Sequence, residues 1–125
     1  MTPQEPAQEA ARTAAEAVRA LNHLTRPGAT QDGGLDVTDV YDLVAELALM
    51  AARLPQALRQ VEALLDQLVE DHQVLIVDGD QVGDPVAVAV IVGHWLSTSC
   101  AAAGQLAHGL DAAQQALTWA APASS

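Results

Sequence analysis

From Val37 to Leu75 apolar residues recur every seven positions, at Val40, Leu47, Leu54, Val61, Leu68 and Leu75. A second line, Leu43, Met50, Ala57 and Leu64, follows three positions on. Two interleaved lines with a seven-residue step predict a long helix that packs lengthwise against another helix through that seam. Pro55 stands inside the pattern, where its ring clashes with the preceding turn and its missing N–H removes a ladder bond, at a cost of about 3 kcal/mol. The phase nevertheless carries on unchanged from Leu54 to Val61, and no Gly, Asn or Ser lies between Ala51 and Gln56 to build a turn. The expectation is therefore one continuous helix kinked at Pro55. The alternative is a second helix that begins with Pro55 in its first turn.

The remaining elements follow from capping and breaking residues. A first helix is expected from Gln4 to Leu24, with Ala7, Ala11, Ala14, Val18 and Leu21 on one face and Glu9, Arg12, Glu16 and Arg19 alternating in sign on the other. Thr2-Pro3-Gln4-Glu5 reads as a capping box at its start. Arg26 to Leu35, with Pro27, Gly28, Gly33 and Gly34, reads as a loop, and Asp36 or Thr38 caps the long helix. Asp78-Gly79 after Val74–Val77 is a hairpin signal, but the second arm is short and polar, so Ile76 to Asp84 is read as a loop. Asp84-Pro85 is an N-cap followed by proline at the first helical position. From there a helix is expected to run towards Trp119, with Leu96, Ala103, Leu110 and Leu117 repeating every seven residues and Val92, Leu106 and Ala113 widening the stripe. Its length, about 50 Å by the helical rise, matches that of the Val37–Leu75 element, so the two should lie side by side. The predicted fold is all-α: a long antiparallel helical hairpin, one arm kinked at Pro55, plus a shorter N-terminal helix covering one side, three-helix bundle-like. Residues 1–121 form a single helical domain and residues 122–125 a disordered tail.

Composition narrows the function. Half of the 125 residues are hydrophobic, and there are sixteen acidic residues against five arginines and no lysine, a net charge of -11. Such a surface repels phosphate backbones, and three aromatics, Tyr41, Trp95 and Trp119, make a poor base-stacking platform, so direct nucleic-acid binding is not expected. Pro85 to Leu110 has no charged residue, as a membrane span requires. His94, Ser97, Thr98, Ser99, Gln105 and His108 interrupt it and no Lys or Arg flanks it, so a bundle helix fits better and no membrane contact is expected. The N-terminus lacks a basic start and an apolar run, and the lone Cys100 has no intramolecular partner, which together suggest the cytoplasm. Cys100, set among Ser, Thr and Ala, reads as a small packed thiol rather than a nucleophile.

No cluster of residues has the spacing of a catalytic, cofactor or metal site. Asp36, Asp39, Asp42 and Glu46 share a helix face, as a divalent-cation site would require, but acidic residues also suit the positive end of a helix dipole. Glu62, Asp66 and Glu70 form a second stripe at four-residue spacing, where like charges repel each other; they are the candidate contact for a basic partner, or else a solubilising surface. His94 and His108 lie about 21 Å apart by the helical rise and cannot share an ion, and His23 and His72 have no close companion. Magnesium-dependent nucleotide pyrophosphohydrolases present carboxylates in ExxE and ExxD pairs on helices. Here Asp39 with Asp42 has Asp for Glu, and Glu62 with Asp66 has the wrong spacing.

The string DVYDLVAELALMAARLPQAL from Asp39 to Leu58 and the ending LDAAQQAL from Leu110 to Leu117 resemble short alanine-rich actinobacterial helical proteins of unknown function. That resemblance implies a helical fold and carries no activity or site residue with it. The functional expectation is a non-catalytic cytoplasmic interaction and assembly protein without cofactor, self-associating as a homodimer of four to six helices. The alternative is an acidic decoy or antitoxin-like protein that offers Glu62, Asp66 and Glu70 to a basic partner, with the pyrophosphohydrolase as a third reading.

Overall fold

Residues 5–31 and 34–123 are described by the structure, a computed structural model. Three helices account for most of them: α1 (Glu5–Leu24), α2 (Val37–Glu70) and α3 (Pro85–Leu117). The capping box expected at Thr2 to Glu5 and the last residues of the tail lie outside the described residues. The fold is all-α and bundle-like, with α2 and α3 packed closely along their length.

Each end of α2 has a local cause. Asp36 is the N-cap: its Oδ1 accepts from the Asp39 N–H at 3.1 Å, while Asp39 Oδ2 accepts from the Asp36 N–H at 2.9 Å. This reciprocal box satisfies two donors that the first turn would otherwise leave unpaired. The helix passes through Pro55 without a break, as the conserved heptad phase predicts. It stops at Glu70, five residues short of the expected Leu75. His72 turns into the left-handed region at φ 59, its N–H reaching the Val69 carbonyl at 3.1 Å and the Gln73 N–H the Leu68 carbonyl at 2.9 Å. That pair of bonds is a Schellman motif, closed by a residue type that gives no warning of it, since the position usually belongs to glycine. The chain then returns through a loop without regular structure, with Gly79 at φ 88 and the Gly83 N–H bonded to the Ile76 carbonyl. Asp84 Oδ1 accepts from the Ala87 N–H at 3.0 Å and Pro85 opens α3, as expected.

The register of the hairpin follows from two contacts. Gly93 lies so close to α2 that a Cβ there would stand 2.8 Å from Glu62 Oε1, and Cys100 Sγ donates to the Pro55 carbonyl at 3.5 Å. Seven residues forward on α3 correspond to seven back on α2, so the pair is antiparallel and in constant register. The buried and half-buried residues of α2 define the seam: Val37, Val44, Ala51, Leu58 and Leu65 in one line, Tyr41, Ala48, Pro55, Glu62 and Val69 in the other. This is a heptad seam, but it is not the expected one. The expected lines lie about a quarter turn to one side, and most of their members, including Leu54, Val61, Leu64 and Leu68, are exposed. On α3 the expected line of Leu96, Ala103, Leu110 and Leu117 does face α2, whereas Leu106 and Ala113 are exposed. The second line there runs Gly93, Cys100, Ala107 and Gln114, also stepping by seven, with half-buried Val92 beside it.

Small residues explain why this seam wins. The buried positions are Ala48, Ala51, Ala89 and Ala103, and Gly93 removes a further side chain from the contact. Without bulk between them the two backbones come close, and dispersion contacts run along the whole length. The consequence is a thin core, with no large side chain fully buried among the described residues. α1 does not cover the hairpin as expected. All its residues from Pro6 to Leu24 are exposed except Leu21, which with Ala17 and Val18 shares an open groove with Leu43, Leu47 and Met50 at the start of α2.

Candidate functional site: two faces of the hairpin

Glu62 and Asp66, two of the three residues expected to meet a partner, line a shallow groove between α2 and α3 together with Val69, Val86, Val90 and Gly93. Glu62 is half-buried because it belongs to the inter-helix seam, and its carboxylate occupies space beside Gly93 that a Cβ there would contest. Asp66 and Glu70 are exposed, and Glu70 lies at the last turn of α2, outside the groove. The stripe therefore drifts around the helix, by about 40° at each four-residue step, rather than forming a flat row.

The other carboxylates do not converge. Asp39 is engaged in capping, and the Asp39/Asp42 and Glu62/Asp66 pairs stand at opposite halves of α2, roughly 35 Å apart by the helical rise. Among the described residues no three His, Cys, Asp or Glu side chains come together as metal ligands would. His94 is exposed and sits edge-on to Trp95 with ring centroids 5.1 Å apart. Cys100 is half-buried and its thiol is spent on the Pro55 carbonyl, in keeping with a packing role.

The pattern of apolar residues does not reveal the second face, because its α2 lines, with Leu106 and Ala113 of α3, read as the seam itself. On α2 it comprises the two expected lines from Val40 to Leu68, and on α3 it comprises Val88, Ile91, Trp95, Ala102, Leu106 and Ala113. Both sets lie roughly a quarter turn before the seam residues of their own helix. Residues a quarter turn after the seam, Asp66 on α2 and Val86 and Val90 on α3, share one groove. In an antiparallel pair equal rotations away from facing seams lead to the same side, so the residues before the seam share the opposite side. Not one of them is charged. Leu54, Val61, Leu64, Leu68, Ile91 and Trp95 are all exposed there, and only its beginning faces α1, across the groove that Val18 and Leu21 line.

α3 is long and apolar enough to cross a membrane by length and composition, with a mean hydropathy of 1.7 over its best window and few of those residues buried. Its apolarity has two components, the seam against α2 and the uncovered face. Comparison with family models, with curated proteins and with solved structures finds no match for this chain.

Proposed function

We propose that the protein is a non-catalytic helical assembly protein of the cytoplasm that acts by self-association. The observation that carries this reading is the mismatch between its apolar content and its core. The chain exposes 9464 Å², whereas a compact monomer of 13.0 kDa would expose about 6,300 Å². The only buried hydrophobic side chains described are four alanines. Half the residues are hydrophobic, and a single copy leaves most of the large ones in water. Association supplies the missing burial. Sedimentation equilibrium or light scattering at micromolar concentration is expected to give a multiple of 13.0 kDa. A monomer under those conditions overturns the reading.

A second reading, capture of a basic protein through Glu62, Asp66 and Glu70, is supported by the segregation of charge. Among the described acidic residues of α2 and α3 only Glu46 borders the apolar face, and two of these three border the groove on the other side. Charge reversal at Asp66 and Glu70, both exposed, should abolish retention on a basic partner while leaving helicity unchanged; unaltered retention removes this reading.

A further inference from the structure

We propose that the uncharged face of the hairpin is the seat of a second copy of this chain, which lays the same face against it to close a four-helix core. The proposal rests on the self-association reading and adds the surface that carries it. Three observations identify the occupant. The first is extent. The face runs the length of two paired helices, about 50 Å by about 20 Å, or roughly 1,000 Å² of flat area per copy. Two copies then bury about 2,000 Å², within the range of obligate homodimers, and the excess surface of the single chain is large enough to supply it.

The second is charge. Each copy has a net charge of -11, so any contact between copies through the outer surface or the groove of Glu62 and Asp66 sets like charges together. The apolar face alone lets two such chains meet with their acidic residues turned outward. A basic protein would find no counter-charge on it. An anionic bilayer would be repelled by the rest of the chain, and no lysine is present to hold lipid headgroups. The third is position within the fold: at one end this surface faces a helix across an open groove, where Val18 and Leu21 of α1 stand opposite Leu43, Leu47 and Met50. The second copy covers the whole face, and the length from Leu54 to Leu68, with Ile91 and Trp95 across from it, is its most exposed part.

Leu64 and Val90 provide a matched pair of probes, 60% and 68% exposed in the single chain but on opposite faces. Leu64→Cys and Val90→Cys are made separately in a Cys100→Ala background, and the rate of maleimide labelling is followed at high and low protein concentration, with helicity checked by circular dichroism. The expected result is labelling of Leu64→Cys at least ten-fold slower than Val90→Cys at high concentration, the difference vanishing as the complex dissociates on dilution. An associated protein in which both sites label alike, or in which Val90→Cys is the protected one, overturns this proposal and leaves self-association standing. A monomer with both sites open removes both. Protection of Leu64→Cys that appears only with phosphatidylcholine vesicles assigns the face to lipid and also overturns it.

A tryptophan readout covers the case in which a cysteine variant fails to fold. Trp119→Phe leaves Trp95, 63% exposed in one copy, as the sole indole. Its acrylamide quenching should fall several-fold at high concentration and recover on dilution. Quenching that stays high in the associated protein counts against the proposal.

Discussion

His72 offers the sharpest test of how this chain ends its longest helix. It sits at φ 59, exposed, and its backbone N–H and that of Gln73 close the last turn of α2 on Val69 and Leu68. An L-residue with a Cβ pays about 1–2 kcal/mol in the left-handed region because the Cβ crowds the following carbonyl. Glycine escapes that crowding but brings a floppier unfolded chain, which returns about 0.4–1 kcal/mol of the gain. His72→Gly should therefore stabilise by about 0.5–1 kcal/mol, or roughly 2–4 °C in melting temperature for a chain of this size. His72→Val should destabilise by at least about 1 kcal/mol, since a β-branched side chain is least tolerant of positive φ. Urea unfolding followed by circular dichroism, at one fixed chain concentration because association adds to apparent stability, measures both. A His72→Gly variant no more stable than the parent, beside a harmless His72→Val, would mean that α2 runs on towards Leu75 and that the Schellman closure is wrong.

Asp36→Ala removes the side-chain half of the box that starts α2 and should cost about 1 kcal/mol in the same assay, with hydrogen exchange rising at the amide of Asp39. The glycines divide by their surroundings. Gly104, where a Cβ meets nothing within 4 Å, should give about 0.8–1 kcal/mol of extra stability as Ala, whereas Gly34→Ala drives a methyl into the Ala29 carbonyl oxygen and should destabilise. Equal effects at the two would contradict the packing described. Pro55→Ala restores a ladder bond to the Ala51 carbonyl and should raise stability by up to about 3 kcal/mol, less the packing lost from the half-buried ring. A loss of stability instead would show that the packing of the Pro55 ring and the thiol bond from Cys100 to its carbonyl outweigh the ladder bond.

Much of the architecture was legible because local chemistry wrote it. Asp84-Pro85 could only open a helix, the Asp36 cap has its partner three residues on, and an unbroken heptad phase across Pro55 correctly implied one helix. The all-α hairpin follows from these signals and from two elements of equal length. The end of α2 was not legible, since the closure is made by main-chain bonds around a histidine in place of the usual glycine. The acidic stripe was legible as three residues on one helix. Which of them stays free was not, because Glu62 falls on the line that meets α3, where its carboxylate lies beside Gly93 on another helix.

The seam shows the division most clearly. By itself the amino-acid order determines that α2 is apolar around more than half its circumference, with two lines of seven-residue repeat a quarter turn apart. Hydrophobic periodicity measures how much greasy surface a line carries, and so it points to Leu47, Leu54, Val61 and Leu68. Which line meets α3 is decided by how near two backbones come, and that depends on the alanines and the glycine of both helices at once. Tertiary packing spends the lines that carry Ala48 and Ala51 on the hairpin and leaves the line of Leu54, Val61 and Leu68 in water, where a second chain has something to bury.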